Sequence, residues 1–258
     1  MKKILTFVLV LLVLVGCNKT DISTVDKIKE KGELVLLTEA TFPPFEYGSN
    51  APGSVDGIAG VDIEFGKALA EKLGVTLKVV DMDFDSLTVA LQAGKGDLIA
   101  AGMTATPERA EIVDFSNIYF DNGLFIIVPE GSDIKSAADL SGKKVAVQQG
   151  TTGNDFADKI DGAEVLTFGG MLEAGIAVVN GNADASVMDV LTAQIIVHNN
   201  PSLVLLDNAV ESEETAIAVQ KGNDSLMAVV NELLDELQTS GQLQTWFDEH
   251  FEALLDEQ

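Results

Sequence analysis

The sequence predicts an α/β protein built as two similar lobes, on three observations. From Glu33 onward, short aliphatic runs alternate with amphipathic stretches, the pattern of strands and helices in largely parallel sheets. Two segments echo each other. TVALQAGKGDLIAAGM at 88–103 and IAVVNGNADASVMD at 176–189 each run from an apolar helix through a glycine C-cap (Gly94, Gly181) and an aspartate (Asp97, Asp184) into a strand. Two βαβ lobes are the simplest account, although any α/β fold contains several such units. Finally, 258 residues with 47% hydrophobic content supply core for two modest lobes or one large domain.

The elements follow in order. Lys2 and Lys3 precede an apolar run from Ile4 to Val15, broken only by Thr6, and then Gly16 and Cys17. This is a secretory signal, too short for a spanning helix. Its end, LVGC at 14–17, resembles the lipobox of bacterial lipoproteins, which implies cleavage before Cys17 and diacylglycerol on its thiol. Cys17 is the only cysteine, so no intramolecular disulfide is possible. Residues 18–31 are polar, and Ser23 with Asp26 makes a weak capping box before a short helix ending at Lys31. Strands are then expected at ELVLLTEA, TLKVVDM, DLIAAGM, LFIIVPE, KKVAVQQG, EVLTFG, ADASVMD, LVLLD and TAIAVQ. Helices are expected at VDIEFGKALAEKLG, DSLTVALQAG, TGNDFADKI, MLEAGIAVVNG and VLTAQIIVHN, and from Asp224 to Leu255 with a break near Gly241.

The charge narrows the partners. With 41 acidic against 16 basic residues, a formal charge of −25, the chain has no basic stripe to neutralise phosphates, so nucleic acid and anionic lipid surfaces are poor partners. His198 and His250 lack neighbours at metal-ligand spacing, so no metal or other cofactor is expected.

Ligands of open parallel sheets gather beyond the carboxyl ends of strands. The residues there are Glu39, Phe42 and Phe45 after the first strand; Gly102, Thr104 and Arg109 in GMTATPER; Thr151 and Thr152 in QGTTGND; and Asp189. A guanidinium and helix-start amides suit a carboxylate, whereas a carboxylate, hydroxyl and carbonyl suit an ammonium. The set suits a zwitterion. Plainer roles compete: Phe42 and Phe45 as loop-pinning core, Arg109 as a surface residue, and Asp189 as a helix N-cap. Asp62, Asp97 and Asp184 read as caps and strand-edge acids, and Trp246 as the apolar face of the last helix.

TEATFPPFEY (38–47), GVDIEFGKALAEKLG (60–74), FDSLTVALQAGKGDLIAAGMTATPER (84–109), VDFSNIYFDNG (113–123), LSGKKVAVQQGTTG (140–153) and ADASVMD (183–189) occur in this order. Together they resemble the polar amino-acid solute-binding proteins of ABC importers, bacterial extracellular solute-binding family 3. The resemblance implies a periplasmic-binding-protein-like fold with a signal at 1–16, a lipid-anchored tether at 17–32, lobe 1 at 33–124 and 216–258, and lobe 2 at 125–215. Hinge strands are implied near 123–129 and 213–219. It implies a monomer on the outer side of a bacterial membrane, held by its lipid, that hands a free amino acid to ABC permease subunits. By the same carry-over the ligand carboxylate meets Arg109 and the amides of Thr104 and Thr152. Its ammonium meets Gly102, Thr104 and Asp189, and its side chain, nitrogen-bearing by preference, meets Glu39, Phe42 and Phe84. The chain departs from the family pattern at Glu39, Ile118, Gln148 and Gly153. Two rival functions share the scaffold: a sensing or interaction lipoprotein, and a cleft enzyme on Glu39 or Asp189. No GxSxG or HExxH motif supports the second.

Overall fold

The structure, a computed structural model, describes residues 24–256. The signal, Cys17 and Ser23 of the expected capping box lie outside them. A first helix, α1 (Thr24–Lys31), buries Ile28 and turns at Gly32 into β1 (Glu33–Thr38), whose residues after Glu33 are all buried. Such an unbroken apolar run marks a strand covered on both faces.

The chain next forms a small antiparallel sheet, β2 (Thr41–Phe42), β3 (Glu46–Gly48) and β4 (Ile58–Ala59), where the sequence promised only a loop. These strands are too short for their hydrophobic alternation to register. Helix α2 (Val61–Leu73) packs Ile63, Phe65 and Leu69 inward and ends at Gly74, in the left-handed conformation. Strand β5 (Thr76–Asp81) follows, then a 3-10 turn at Phe84–Ser86, α3 (Leu87–Gln92), β6 (Leu98–Ile99), α4 (Pro107–Ala110) and β7 (Val113–Phe115).

Strand β8 (Phe120–Pro129) crosses into the second half, built from β9 (Lys144–Gln148), α5 (Thr152–Asp158), β10 (Glu164–Phe168), α6 (Met171–Val179), β11 (Ala185–Asp189), α7 (Val190–Asn199) and β12 (Leu203–Leu205). The return is made by β13 (Glu211–Thr215) and β14 (Ala218–Gln220), and α8 (Asp224–Ser240) and α9 (Gln242–Asp256) close the chain around Gly241. Trp246 packs partly buried against the core.

The two main sheets are mixed, with a parallel part each. In the order β5-β1-β6-β14-β7 the first three strands are parallel and β14 runs against both neighbours. In the order β10-β9-β11-β8-β12 the parallel trio is β10-β9-β11, while β8 runs antiparallel to β11, β12 and β13. The antiparallel strands are those next to the crossings, because a chain returning from the other half enters each sheet from the opposite end. The crossing strands pair over Phe120–Leu124 and Glu211–Thr215, a few residues earlier than the expected segments.

The internal echo is physical. Gly94 and Gly181 both take a positive φ, of 70° and 69°, and the residue after each donates back to Ala90 O and Ala177 O, at 3.0 and 2.9 Å. Asp97 then accepts from Val35 N and Asp184 from Lys144 N, each at 2.8 Å, which ties each strand to its parallel neighbour. These two are the strand-edge acids the sequence suggested. Asp62 is not: it is wholly buried, accepting from Gly102 N at 2.9 Å and from the Tyr119 hydroxyl at 2.7 Å. Burial lifts its carboxyl to about 6.

Candidate functional site

Between the two halves lies a small cavity lined by residues of both. Direct hydrogen bonds cross the cleft around it: Gln149 Nε2 to Asp85 at 2.7 Å, Met171 N to Thr41 Oγ1 at 3.0 Å, and Thr192 Oγ1 to Pro43 O at 2.6 Å. The halves are thus drawn together over the cavity.

Arg109 stands on α4, a one-turn helix that exists because Thr106 caps it and Pro107 begins it. Its Nη1 donates to Thr104 O at 2.9 Å and its Nη2 to Gly150 O, across the cleft, at 3.0 Å. The guanidinium lies 5.1 Å from the centre of the Phe84 ring, within cation–π range. Burial pulls its pKa down, and the nearby charge of Glu213 opposes that. Arg109 is thus half-buried at the cavity wall.

Thr151 caps α5, accepting from Asn154 N at 3.2 Å and donating to Gln148 O at 2.8 Å. Its side chain is spent on the turn. Thr152 opens the helix, and the amides of that first turn are the ones a helix leaves without internal partners. Asp189 ends β11 and serves two roles at once. Its Oδ1 caps α7 by accepting from Leu191 N at 2.9 Å, and its Oδ2 accepts from Asn122 Nδ2. It is 5% exposed, and burial above all lifts its carboxyl to about 7.

Gly102 sits at φ +52°, and a Cβ there would come within 2.0 Å of the Phe42 ring. Backbone and ring meet this closely only because the position is glycine. Phe42 in turn stacks on Phe45 at 4.8 Å; Phe45 is wholly buried among Tyr119, Phe120 and Phe247, so its role is core.

Phe42, Phe84, Gly102, Thr104, Arg109, Thr151, Thr152 and Asp189 all line the cavity. Glu39 does not. Its Oε2 accepts from Gln148 Nε2 at 2.7 Å and from Thr41 Oγ1 at 3.0 Å, so Gln148 stands between it and the cavity. Direct side-chain contact from Glu39 gives way to a relay: the acid holds the amide that faces inward. Burial raises the Glu39 carboxyl above its ordinary value.

Glu213, Met171, Met188 and Leu124 also line the cavity and were not read from the sequence. Glu213 stands in ESEET, which reads as a solvated acidic run. Only its pairing in β13 shows the alternation that buries Glu213 and Thr215 and exposes Glu214. Among the described residues the ionisable groups at the cavity wall are thus Arg109, Asp189 and Glu213, with Glu39 behind Gln148. Formally that sets one base against three acids, and burial raises the carboxyls of all three acids above their ordinary values.

Residues 34–253 match the model of the bacterial extracellular solute-binding proteins, family 3. The chain is similar to the L-cystine-binding protein TcyJ of Escherichia coli, 30% identical over 237 residues, covering 90% of this chain and 88% of that protein. It is also similar to the arginine-binding extracellular protein ArtP of Bacillus subtilis, 33% identical over 227 residues, covering 84% and 87% respectively. Among solved structures, the amino acid ABC transporter substrate-binding protein AbpA of Streptococcus pneumoniae, bound to L-arginine, superimposes with a TM-score of 0.85 at 31% identity, covering 90% of this chain and all of that one. Among the described residues no helix is long and apolar enough to cross a membrane.

Proposed function

The chain belongs to the bacterial extracellular solute-binding proteins of family 3, and from that premise we propose that it captures a free polar amino acid between its halves, unaltered, for an ABC-type importer. The observation that carries this reading is the cavity lined from both halves, with Arg109 from one at its wall and Asp189 from the other. A guanidinium with donors to spare suits an α-carboxylate, and a buried carboxylate suits an α-ammonium. Once those two charges are matched by the ligand's own, and with Glu213 engaged by the Thr104 and Thr152 hydroxyls, the acid of the Glu39–Gln148 pair is left without a cation. A cationic side chain restores the balance, so arginine is the favoured ligand, in keeping with ArtP and the arginine-bound AbpA.

In this reading the two halves are lobes, residues 33–124 with 216–258 and residues 125–215, and β8 and β13 are the hinge. Closure follows from the differential affinity of the ligand for the closed state. The protein works outside the cytoplasm as a monomer, tethered through lipid on Cys17, beside the permease subunits it serves. A Cys17→Ser protein that still incorporates labelled palmitate would remove the tether from this account.

A thermal-shift screen of the twenty amino acids tests the central proposal. A ligand at about a hundred times its dissociation constant stabilises the native state by roughly 2.7 kcal/mol, and arginine is expected to give the largest shift. A largest shift from aspartate or glutamate would refute the cationic preference, and no shift from any of the twenty would refute amino-acid capture. Mass spectrometry of the incubated ligand, unchanged, is expected of a binder and excludes a cleft enzyme.

A further inference from the structure

Asn122 of β8 and Glu213 of β13 face each other in register on the strands that cross between the halves. From this one register position, side chains reach both parts of the clamp. Asn122 Nδ2 donates to Asp189 Oδ2. Glu213 Oε2 accepts from the hydroxyl of Thr104, in the first half, and from that of Thr152, in the second, at 2.9 Å. The backbone keeps the same alignment: Ala105 N donates to Glu214 O at 2.8 Å and Ala216 N to Met103 O at 3.0 Å, so β13 runs along the loop that carries Thr104.

A threonine hydroxyl has one proton and two lone pairs. With the Thr104 hydroxyl donating its hydrogen bond to Glu213, only lone pairs remain for anything in the cavity. The hydroxyl then accepts and cannot donate. Asn122 makes its bond to Asp189 while its buried Oδ1 has no partner among the described residues, an arrangement that packing alone does not favour.

We propose that the cross-strand pair Asn122–Glu213 is a positioning device that makes the site demand an α-ammonium, Asn122 by aiming Asp189 and Glu213 by turning the Thr104 and Thr152 hydroxyls into fixed acceptors. The proposal rests on the amino-acid reading above and adds to it residues outside the clamp itself. Neither residue needs to touch the ligand: each acts through a group that does.

The test compares L-arginine with 5-guanidinopentanoate, the same molecule without its α-ammonium, by calorimetric titration of the wild type, Glu213→Ala and Glu213→Gln. Should the amino-acid screen rank another ligand first, that one and its deamino analogue take their place. Glu213→Ala is expected to weaken the amino acid by roughly tenfold to a hundredfold, the scale of a lost hydrogen bond to a charged group. The deamino analogue should change by less than about threefold, because the hydroxyls it meets no longer need to accept. Glu213→Gln, which keeps one acceptor oxygen in the same shape, should fall between and guards against misfolding of the alanine variant. Thr104→Val combined with Glu213→Ala should cost less than the two singles summed, since the acid acts through that hydroxyl. Equal loss on both ligands would reduce Glu213 to a structural residue and overturn the proposal while leaving amino-acid capture intact. Wild-type protein that binds no amino acid would overturn both.

Discussion

Lowering the pH from about 8 to about 6 should weaken arginine binding roughly tenfold through one side chain, Asp189. Its carboxyl titrates at about 7 in the unliganded protein, chiefly because it is buried. An ammonium placed against it favours the charged form and lowers that value by about one to three. Binding therefore expels a proton, so affinity is full above about 7 and is lost as the pH falls through it. With half-ionisation near 7, roughly nine tenths of the carboxyl is charged at pH 8 and roughly one tenth at pH 6. Only the charged form pairs with the ligand, so the apparent dissociation constant rises by the same ratio, about tenfold. Arginine is the right probe because neither its side chain nor its α-ammonium titrates in this window. Calorimetry in two buffers of different ionisation enthalpy should count close to one proton released near pH 6. Glu39 and Glu213 also titrate above their ordinary values, so the control is Asp189→Asn, which keeps the shape of the helix cap. That variant should bind weakly at every pH, by about 2–5 kcal/mol, and lose the dependence. Wild-type affinity that stays flat from pH 8 to 6, or a tenfold change that survives in Asp189→Asn, would refute the reasoning.

Arg109→Ala should weaken all amino-acid ligands alike by about 2–5 kcal/mol, because it strands the common α-carboxylate in the cleft; titration against several amino acids checks that their ranking is preserved. Gly102→Ala should cost about 1–2 kcal/mol for the left-handed backbone and about 1–3 kcal/mol for displacing the Phe42 ring, and should impair binding with it. A melting temperature equal to wild type would count against the close approach of Gly102 to Phe42. The unliganded protein should melt higher at about pH 5 than at about pH 7.5, since buried Asp62 and Asp189 hold protons more tightly folded than unfolded. Asp62 alone, raised from 3.8 to about 6, contributes on the order of 3 kcal/mol that is present at low pH and lost as the pH rises through its folded value. Asp62→Asn should reduce that dependence in thermal melts and leave the part due to Asp189.

Local signals reached a long way into this molecule. The hydrophobic runs located the long strands and the helices, since burial on both faces leaves a continuous apolar stretch and burial on one leaves a helical period. The echo of Gly94 with Gly181 and Asp97 with Asp184 named residues whose bonds recur in both halves, because a C-cap and a strand-edge acid are each made within a few residues of chain or with an adjacent parallel strand. Thr152 and Asp189 were legible for a similar reason, one opening a helix and the other ending a strand, and Thr104 and Arg109 lie in the segment after β6, the end of the sheet where such folds leave polar groups free.

What the sequence by itself determined, then, was the α/β class, the order of elements and the residue types available to hold a zwitterion. Only the tertiary structure decided who stands next to whom across long separations. It set Glu39 behind Gln148, 109 positions away, rather than at the cavity wall. It buried Asp62, in the first turn of α2, under Gly102, where it accepts from that amide instead of capping its own helix. It also turned the acidic run at β13 edge-on to β8, so that Glu213 reaches the hydroxyls of both halves. A carboxylate's environment is fixed by what packs around it and by the water it loses. Those neighbours are brought together by sheet pairing between distant segments, about which the few residues on either side of an acid carry no information.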